Sequence, residues 1–474
     1  MLLIRRAEVY RRGRPGQALD VRCASGRIVD IAAHLDPLPG ETLLDAGGNA
    51  LLPGLHDHHI HLLSLAAAAG SVRCGPPAVS NRDQLVEVLR GAPGSGWIRG
   101  IGYHESVAGL PTARELDGIA PHRPLRIQHR SGKLWLLNSM AMDLLGVHEH
   151  LSLPGVMTAN GQPTGQLFRL DAWIAARLER ADPPDVSAVS AELASFGITG
   201  MTDATPGNHL QTLQEFAGMM DRGELLQRVR LMGGDDLGGE HADAATDFAD
   251  SLLVAGERKI MLDEWALPDF EVLVNTIGKA HAAGRGVAIH CVTRTELVFA
   301  LASLREAPGE GDRIEHAAVV PPDAMRLLQE TGVTVVTQPG LVTERGDQYR
   351  VDVPEPQHSH LYRWQTLVDA GVPVAASSDA PFTSADPWLA MHGAVTRMTA
   401  SGFLMGAEER VSPESALAGF CAPAEDPAAA PRTITPGAVA DLCLLDCPWQ
   451  QARRALERCQ VNATVRGGEL IFTR

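Results

Sequence analysis

The sequence predicts an α/β protein built on a closed (β/α)8 barrel, a TIM barrel, with a small β-sandwich domain made from both chain ends. Three observations predict it. Apolar, β-branched runs alternate with helical patterns between residues 198 and 380. Histidines, a lysine and an aspartate fall at the ends of those runs. The two termini share a different, turn-rich style. Repeated strand–helix units imply a parallel sheet. Eight such strands close into a barrel that gathers distant residues at their C-terminal ends.

The first barrel strand is the run Ala50-Leu51-Leu52-Pro53-Gly54-Leu55, which leads into a cluster of histidines. Seven more follow at Ile198–Thr202, Val229–Met232, Lys259–Leu262, Val287–His290, Arg313–His316, Val333–Thr337 and Val372–Ala376. Gly197, Gly284, Gly332 and Gly371 each precede a strand, as expected of a glycine that ends a helix in the left-handed conformation. Phe270, Leu273, Val274 and Ile277 mark one buried helical face. Between the first and second strands, roughly 70–190 reads as an insertion, with strand-like pieces at Trp97–Tyr103 and Pro124–Gln128. Removing it leaves about 250 residues, the usual barrel size. The expected organisation is therefore 1–49 and 433–474 as the two parts of a β-sandwich, and 50–421 as the barrel with its insertion. The proline- and alanine-rich stretch 422–436 is the expected linker.

Bulk composition narrows the function. A formal net charge of −16 argues against nucleic acid or an anionic membrane surface as partner. The apolar run at the start is too short for a signal peptide, and no stretch reaches the roughly 18 apolar residues that span a membrane. Seven cysteines without a Cys-x-x-Cys pair suggest neither a disulfide scaffold nor a thiolate metal site, so a reducing cytoplasm is the expected location. Aromatic content of 4% argues against an extended stacking groove. Lysine occurs only at 133, 259 and 279 among 41 basic residues. A lysine kept in such a chain raises the question of what arginine cannot supply.

The candidate chemistry lies in six residues: His59, His61, Lys259, His290, His316 and Asp379. The stretch His56-Asp57-His58-His59-Ile60-His61 holds two His-x-His pairs, and residues i and i+2 of a strand face one side. Either pair can offer two imidazoles to one metal. His59 and His61 lie nearer the C-terminal mouth and are preferred. A lone histidine at a strand end is usually a core or loop residue, but His290 and His316 stand on successive strands. Asp379, in Asp-Ala-Pro, reads equally well as a helix cap. Lys259 reads simply as a solvated residue unless its amine is neutral, since an ammonium has no lone pair. A neutral amine can capture carbon dioxide as a carbamate, an anionic oxygen ligand. Burial near cations favours that neutral form, and arginine cannot do this.

At these residues the chain resembles the amidohydrolase superfamily, and in particular its YtcJ-like branch, which includes N-substituted formamide deformylase. Pro53-Gly54 followed by Asp57, His59 and His61 matches the opening motif and favours that register. Gly161 to Leu167, with its Pro-Thr-Gly, Gly197-Ile198-Thr199 through Asp203, Asn138-Ser139 with Ala141, and the closing Pro436-Gly437 with Ala440-Asp441-Leu442 resemble further stretches of the branch. The resemblance implies one or two divalent metals, most simply Zn2+. His59 and His61 would hold the more buried ion, Lys259 as a carbamate would bridge, and His290 and His316 would hold the second. Asp379 would ligate and act as base, with His316 as the other candidate catalytic residue. A homodimer is implied as well. Where the branch usually has a histidine five residues before the Asn-Ser pair, this chain has Lys133, which is as readily a surface residue as a partner for a substrate carboxylate.

The expected reaction is hydrolysis of an amide-type C–N bond in a small molecule. A metal lowers the pKa of its water from about 16 to about 7. Asp379 accepts the proton and returns it to the leaving amine. Deamination of a ring or amidine C–N bond, or non-catalytic binding on the same barrel, stay open. Tyr103, His104, His129, Trp135 and Gln338 join Lys133 as candidate pocket residues by position, with a core role equally open for Trp135.

Overall fold

The computed structural model describes the chain apart from residues 13–15, 77, 179–183 and 238–250. It comprises two units, Met1–Leu62 with Val186–Arg474, and Leu63–Asp185.

The first unit contains eight parallel strands paired in chain order: Leu55–Ile60, Ile198–Asp203, Arg228–Gly233, Leu253–Met261, Val287–Cys291, Arg313–His316, Thr334–Thr337 and Val374–Ala376. Their register sets Met261 opposite His290 and Cys291 opposite His316, so the polar ends of successive strands lie side by side. The last strand meets the first just beyond its own end. There Asp379 N–H donates to His59 O (2.7 Å) and His61 N–H donates to Ala380 O (2.9 Å). Ile260, Ile289, Ile314 and Val335 pack with Leu273, Ile277, Leu297 and Leu301 of the surrounding helices. The helix Phe270–Ala282 shows why this works. Asp269 caps it, accepting from Glu271 N–H (3.0 Å), and Leu273, Ile277 and Ala280 form its buried face.

Two boundaries differ from the sequence expectation. The fourth strand begins at Leu253, so Lys259 lies well inside it. The run 50–55 is divided. Ala50–Pro53 pairs with Leu442–Leu445 and Leu2–Val9, and only Leu55–Ile60 enters the barrel. Pro53 has no N–H to continue a ladder. At Gly54 any Cβ would meet the Thr199 side chain at 2.4 Å, so the chain changes sheets at the one residue that fits there.

Strands from both ends are hydrogen-bonded into one branched sheet. Its order is Glu469–Thr473, Val461–Arg466, Leu442–Leu445, Ala50–Pro53, Leu2–Val9, Gln17–Ala24 and Arg27–Ala32, with Thr42–Asp45 attached to Leu2–Val9. Leu2, Ile4, Val21, Leu51, Leu442 and Val465 share its core. Gly197 joins this sheet to the barrel. Its φ is +87°, and a Cβ there would lie 2.4 Å from Cys443 Sγ. Gly197→Ala is expected to destabilise the fold by about 1–3 kcal/mol through overpacking, with strain in addition. An unchanged denaturant midpoint would refute this.

The second unit is a six-stranded sheet in the order Val156–Ala159, Gln162–Phe168, Leu134–Leu137, Leu125–His129, Ile98–Tyr103 and Val72–Arg73. Its Asn-Ser motif has a structural reason. Asn138 is buried; its Oδ1 accepts from Leu125 N–H (2.9 Å) and Ala141 N–H (3.0 Å), and its Nδ2 donates to Ala120 O and Arg123 O. One side chain thus ties a strand start to a helix start. Among the described residues, no helix is long and apolar enough to cross a membrane.

Candidate metal centre

The first strand alternates, so Asp57 and His59 face one side and His56 and His58 the other. His56 is taken up in the fold, with Nε2 2.9 Å from Thr202 Oγ1. On the opposite side, nitrogens of His59 and His61 and an oxygen of Asp379 all lie within 4.8 Å of one another. His61 Nε2 is 3.3 Å and His59 Nε2 is 3.5 Å from Asp379 Oδ1. The His316 ring centroid is 4.9 Å from that of His59, and the His290 ring meets His316 edge-on at 4.6 Å. The preferred pair, His59 and His61, is the one the fold brings to Asp379.

Three imidazoles are held from behind. His59 Nδ1 contacts the Glu315 carboxylate, and His61 Nδ1 is 3.0 Å from Thr205 Oγ1. His316 Nδ1 is 2.7 Å from Gln338 Oε1. The Gln338 amide is oriented by donating to Val336 O (3.2 Å) and Ser377 Oγ (2.9 Å), so its oxygen must face His316. His316 therefore carries its proton on Nδ1, and its Nε2 keeps a lone pair. That is the state of a metal ligand, with the outer partner fixing the tautomer. Gln338 is fully buried, so its part is to position His316, where the sequence reading had it lining the pocket.

Glu315 is itself anchored. Arg313 Nε donates to its Oε1 (2.6 Å), and Arg313 Nη2 also donates to His58 O (2.6 Å). Burial alone would raise the Glu315 pKa, but Arg313 and Lys259 hold it below the usual carboxylate range. Glu315 escaped the sequence reading because it is adjacent to a candidate ligand and looks like a strand residue. Its signal was charge in a strand otherwise wholly buried. Glu315→Gln is expected to weaken metal binding about ten- to a hundredfold. Zinc affinity measured by competition with a chelator checks this, and equal affinity would rule out the role.

Lys259 is 3% exposed, and its Nζ has no hydrogen-bond partner among the described residues. Burial depresses its pKa, opposed by Glu315 and Asp379 and reinforced by Arg313. Asp379 Oδ1 is likewise buried without a hydrogen-bond partner among them. Burial would keep this carboxyl neutral, yet His61, His59 and His316 bring its pKa down to about 2. The backbone at His316, Ala317 and Asp379 is left-handed (φ +70°, +45° and +61°), a strained arrangement for non-glycine residues that clusters at functional sites. Converging nitrogen and oxygen donors, with an unpartnered carboxylate oxygen, fit a divalent cation.

The other candidate residues lie in the second unit. Tyr103 and Trp135 are core side chains there. Tyr103 is fully buried and donates to Gly109 O (2.8 Å); Trp135 Nε1 donates to Asp171 Oδ1 (2.8 Å). Tyr103 thus differs from the pocket role expected of it, and of the two roles open for Trp135 the core one is seen, because a large aromatic on a central strand fills its sheet's core. Lys133 is half-buried, in the turn before Leu134–Leu137. His104 and His129 come together around Glu105, at 3.4 and 2.9 Å. Ser106 N–H and Ser131 N–H donate to their Nδ1 atoms (3.2 and 3.1 Å), which leaves the Nε2 protons facing Glu105. That tautomer suits a hydrogen-bonded cluster better than a metal.

The amidohydrolase-family model matches residues 42–472. The chain belongs to the amidohydrolase family. It is 27% identical to the N-substituted formamide deformylase of Arthrobacter pascens, over 96% of this chain and 95% of that protein. It is 24% identical to the putative amidohydrolase YtcJ of Bacillus subtilis, over 75% of this chain and 74% of that one. These relatives place this amidohydrolase in the YtcJ-like branch. Its fold is similar to that of an uncharacterized metal-dependent hydrolase from Pyrococcus horikoshii (TM-score 0.73, 20% identity, 94% of this chain and 96% of the other).

Proposed function

We propose that this amidohydrolase hydrolyses an amide-type C–N bond of a small molecule at a centre that binds one or two divalent metals, most simply Zn2+. The observation that carries this is the convergence of His59, His61 and Asp379 near a buried Lys259 amine that has no hydrogen-bond partner among the described residues. His59, His61 and Asp379 would hold one ion. His290 and His316, bridged through Lys259 as its carbamate, would hold the second. Such an ion acidifies water and polarises a carbonyl when bound.

The chain's own residues supply the rest. Asp379 is ionised through neutral pH and stands where it can take a proton from the attacking water. It then returns that proton to the leaving nitrogen, which departs poorly as an anion. His316, with Nδ1 committed to Gln338, has no proton at Nε2 to give and serves as a ligand. The barrel strands hold these groups on a rigid frame, and the strained backbone at His316 and Asp379 aims two of them inward.

The test is a screen of zinc-loaded protein against N-formylated amines, other N-substituted amides, amino-substituted rings and amidines. Equal release of amine and acid supports the proposal. Ammonia from rings or amidines moves the reaction to deamination, and saturable binding without turnover indicates a binding protein.

A further inference from the structure

One half-buried arginine of the first unit, Arg345, is sparsely bonded. Some buried and half-buried arginines here face carboxylates, as Arg228 faces Asp441 at 3.0 Å and Arg230 faces Glu257 at 3.2 Å. Others spend their donors on backbone carbonyls, as Arg285 does on Gly256 O, Gly234 O and Glu257 O and Arg397 on Met405 O, Tyr362 O and Leu361 O. Arg345 is half-buried, yet among the described residues its one hydrogen bond runs to Phe382 O (2.5 Å), and no carboxylate pairs with it. A guanidinium has five donors in a planar fork that matches a carboxylate, so most of this one is uncommitted.

Its location is specific. Phe382 is three residues past Asp379, and its ring meets His61 edge-on at 5.8 Å. Arg345 and Tyr349 are one turn apart on the helix Gly340–Asp352 and so share a face. The Tyr349 hydroxyl is 3.3 Å from that of Tyr362. Tyr362 is tied to the loop after His316, its N–H donating to Ala318 O (3.0 Å), and its φ is +49°. Its hydroxyl lies within the fields of both Arg345 and Asp379. Two of the chain's four tyrosines are thus paired beside the candidate centre, with an arginine next to them that makes one hydrogen bond among the described residues.

We propose that Arg345, with the hydroxyls of Tyr349 and Tyr362, forms a carboxylate-binding subsite beside Asp379, so that the amide substrate carries an acid group. This rests on the amide-hydrolase reading above and adds the substrate class. Arg345 would fix the acid with its planar fork, and a tyrosine hydroxyl would donate to it. A chain with formal net charge −16 repels anions at long range, and a guanidinium at the centre would offset that repulsion locally.

The test uses matched probes on zinc-loaded protein: N-benzoylglycine against N-methylbenzamide, and N-formyl-4-(aminomethyl)benzoate against N-benzylformamide. Calorimetric binding and kcat/KM are both measured. The parent is expected to favour the acid member by about tenfold or more, as for a hydrogen-bonded ion pair. In Arg345→Gln, which can still donate to Phe382 O, that ratio should fall towards one, mainly through KM or Kd. Arg345→Lys should keep part of it, and the exposed Arg326→Gln should leave it unchanged. A purely structural role for Arg345 would affect both members of a pair alike. If acids bind preferentially but no amide is cleaved, the subsite stands and the amide reading fails. If neutral amides are cleaved without preference for the acid, or if no carboxylate binds, the subsite is overturned.

Discussion

Asp379→Asn is expected to lower kcat by about a hundred- to ten-thousandfold, the range one positioned proton carrier supplies. The change is nearly isosteric, so the backbone bond to His59 and the left-handed turn at Asp379 remain. What disappears is a carboxylate whose pKa stands at about 2, far enough below neutral pH to be wholly ionised. The amide that replaces it cannot take up a proton. It can still offer an oxygen to an ion, so metal content should fall only in part. Measuring kcat at saturating zinc separates the two effects. Near-full activity under those conditions on a confirmed substrate would end the base assignment.

The second large effect is expected on metal content. Purified parent protein should contain close to two metals per chain by elemental analysis, and Lys259→Ala should lose at least one. Lys259→Met, which keeps the packing volume, should lose as much. The physical reason is that a 3%-exposed amine without a hydrogen-bond partner among the described residues is costly to leave bare. Conversion to a carbamate turns it into an anion between cations. The carbamate can be seen directly by carbon-13 NMR after exchange with labelled bicarbonate. One metal in the parent, unchanged in both variants, would exclude the bridge. The centre would then be mononuclear, on His59, His61, His290 and Asp379.

Much of the barrel was legible because its strands are buried on both faces and read as apolar runs. The candidate centre was legible because polar residues interrupt those runs at their ends. Lys259 was flagged by scarcity, and the structure adds that it is buried inside a nine-residue strand. Other features depend on what the chain meets in space. Nothing local to Pro53-Gly54 says that the strand before it pairs with Leu442–Leu445. Glu315 and Gln338 act through His59 and His316, and such partners carry no spacing signature. Tyr103 was placed in the pocket by sequence position, and position cannot tell a core aromatic from a pocket one, which is why both roles stayed open for Trp135. Arg345 went unnoticed because arginine is abundant here, and only its single hydrogen bond among the described residues, seen in space, marks it.

The bond from Asp379 to His59 has a consequence for how the molecule comes to life. A cylinder rolled from a linear chain must be fastened once, and here the fastening is made by the backbone of the very residues whose side chains face the centre. Until strand eight reaches strand one, His59 and His61 are separated from their aspartate by about 320 residues of chain. An ion gripping both sides would act as a rivet through that clasp, so the cofactor would hold the barrel shut as well as serve its chemistry.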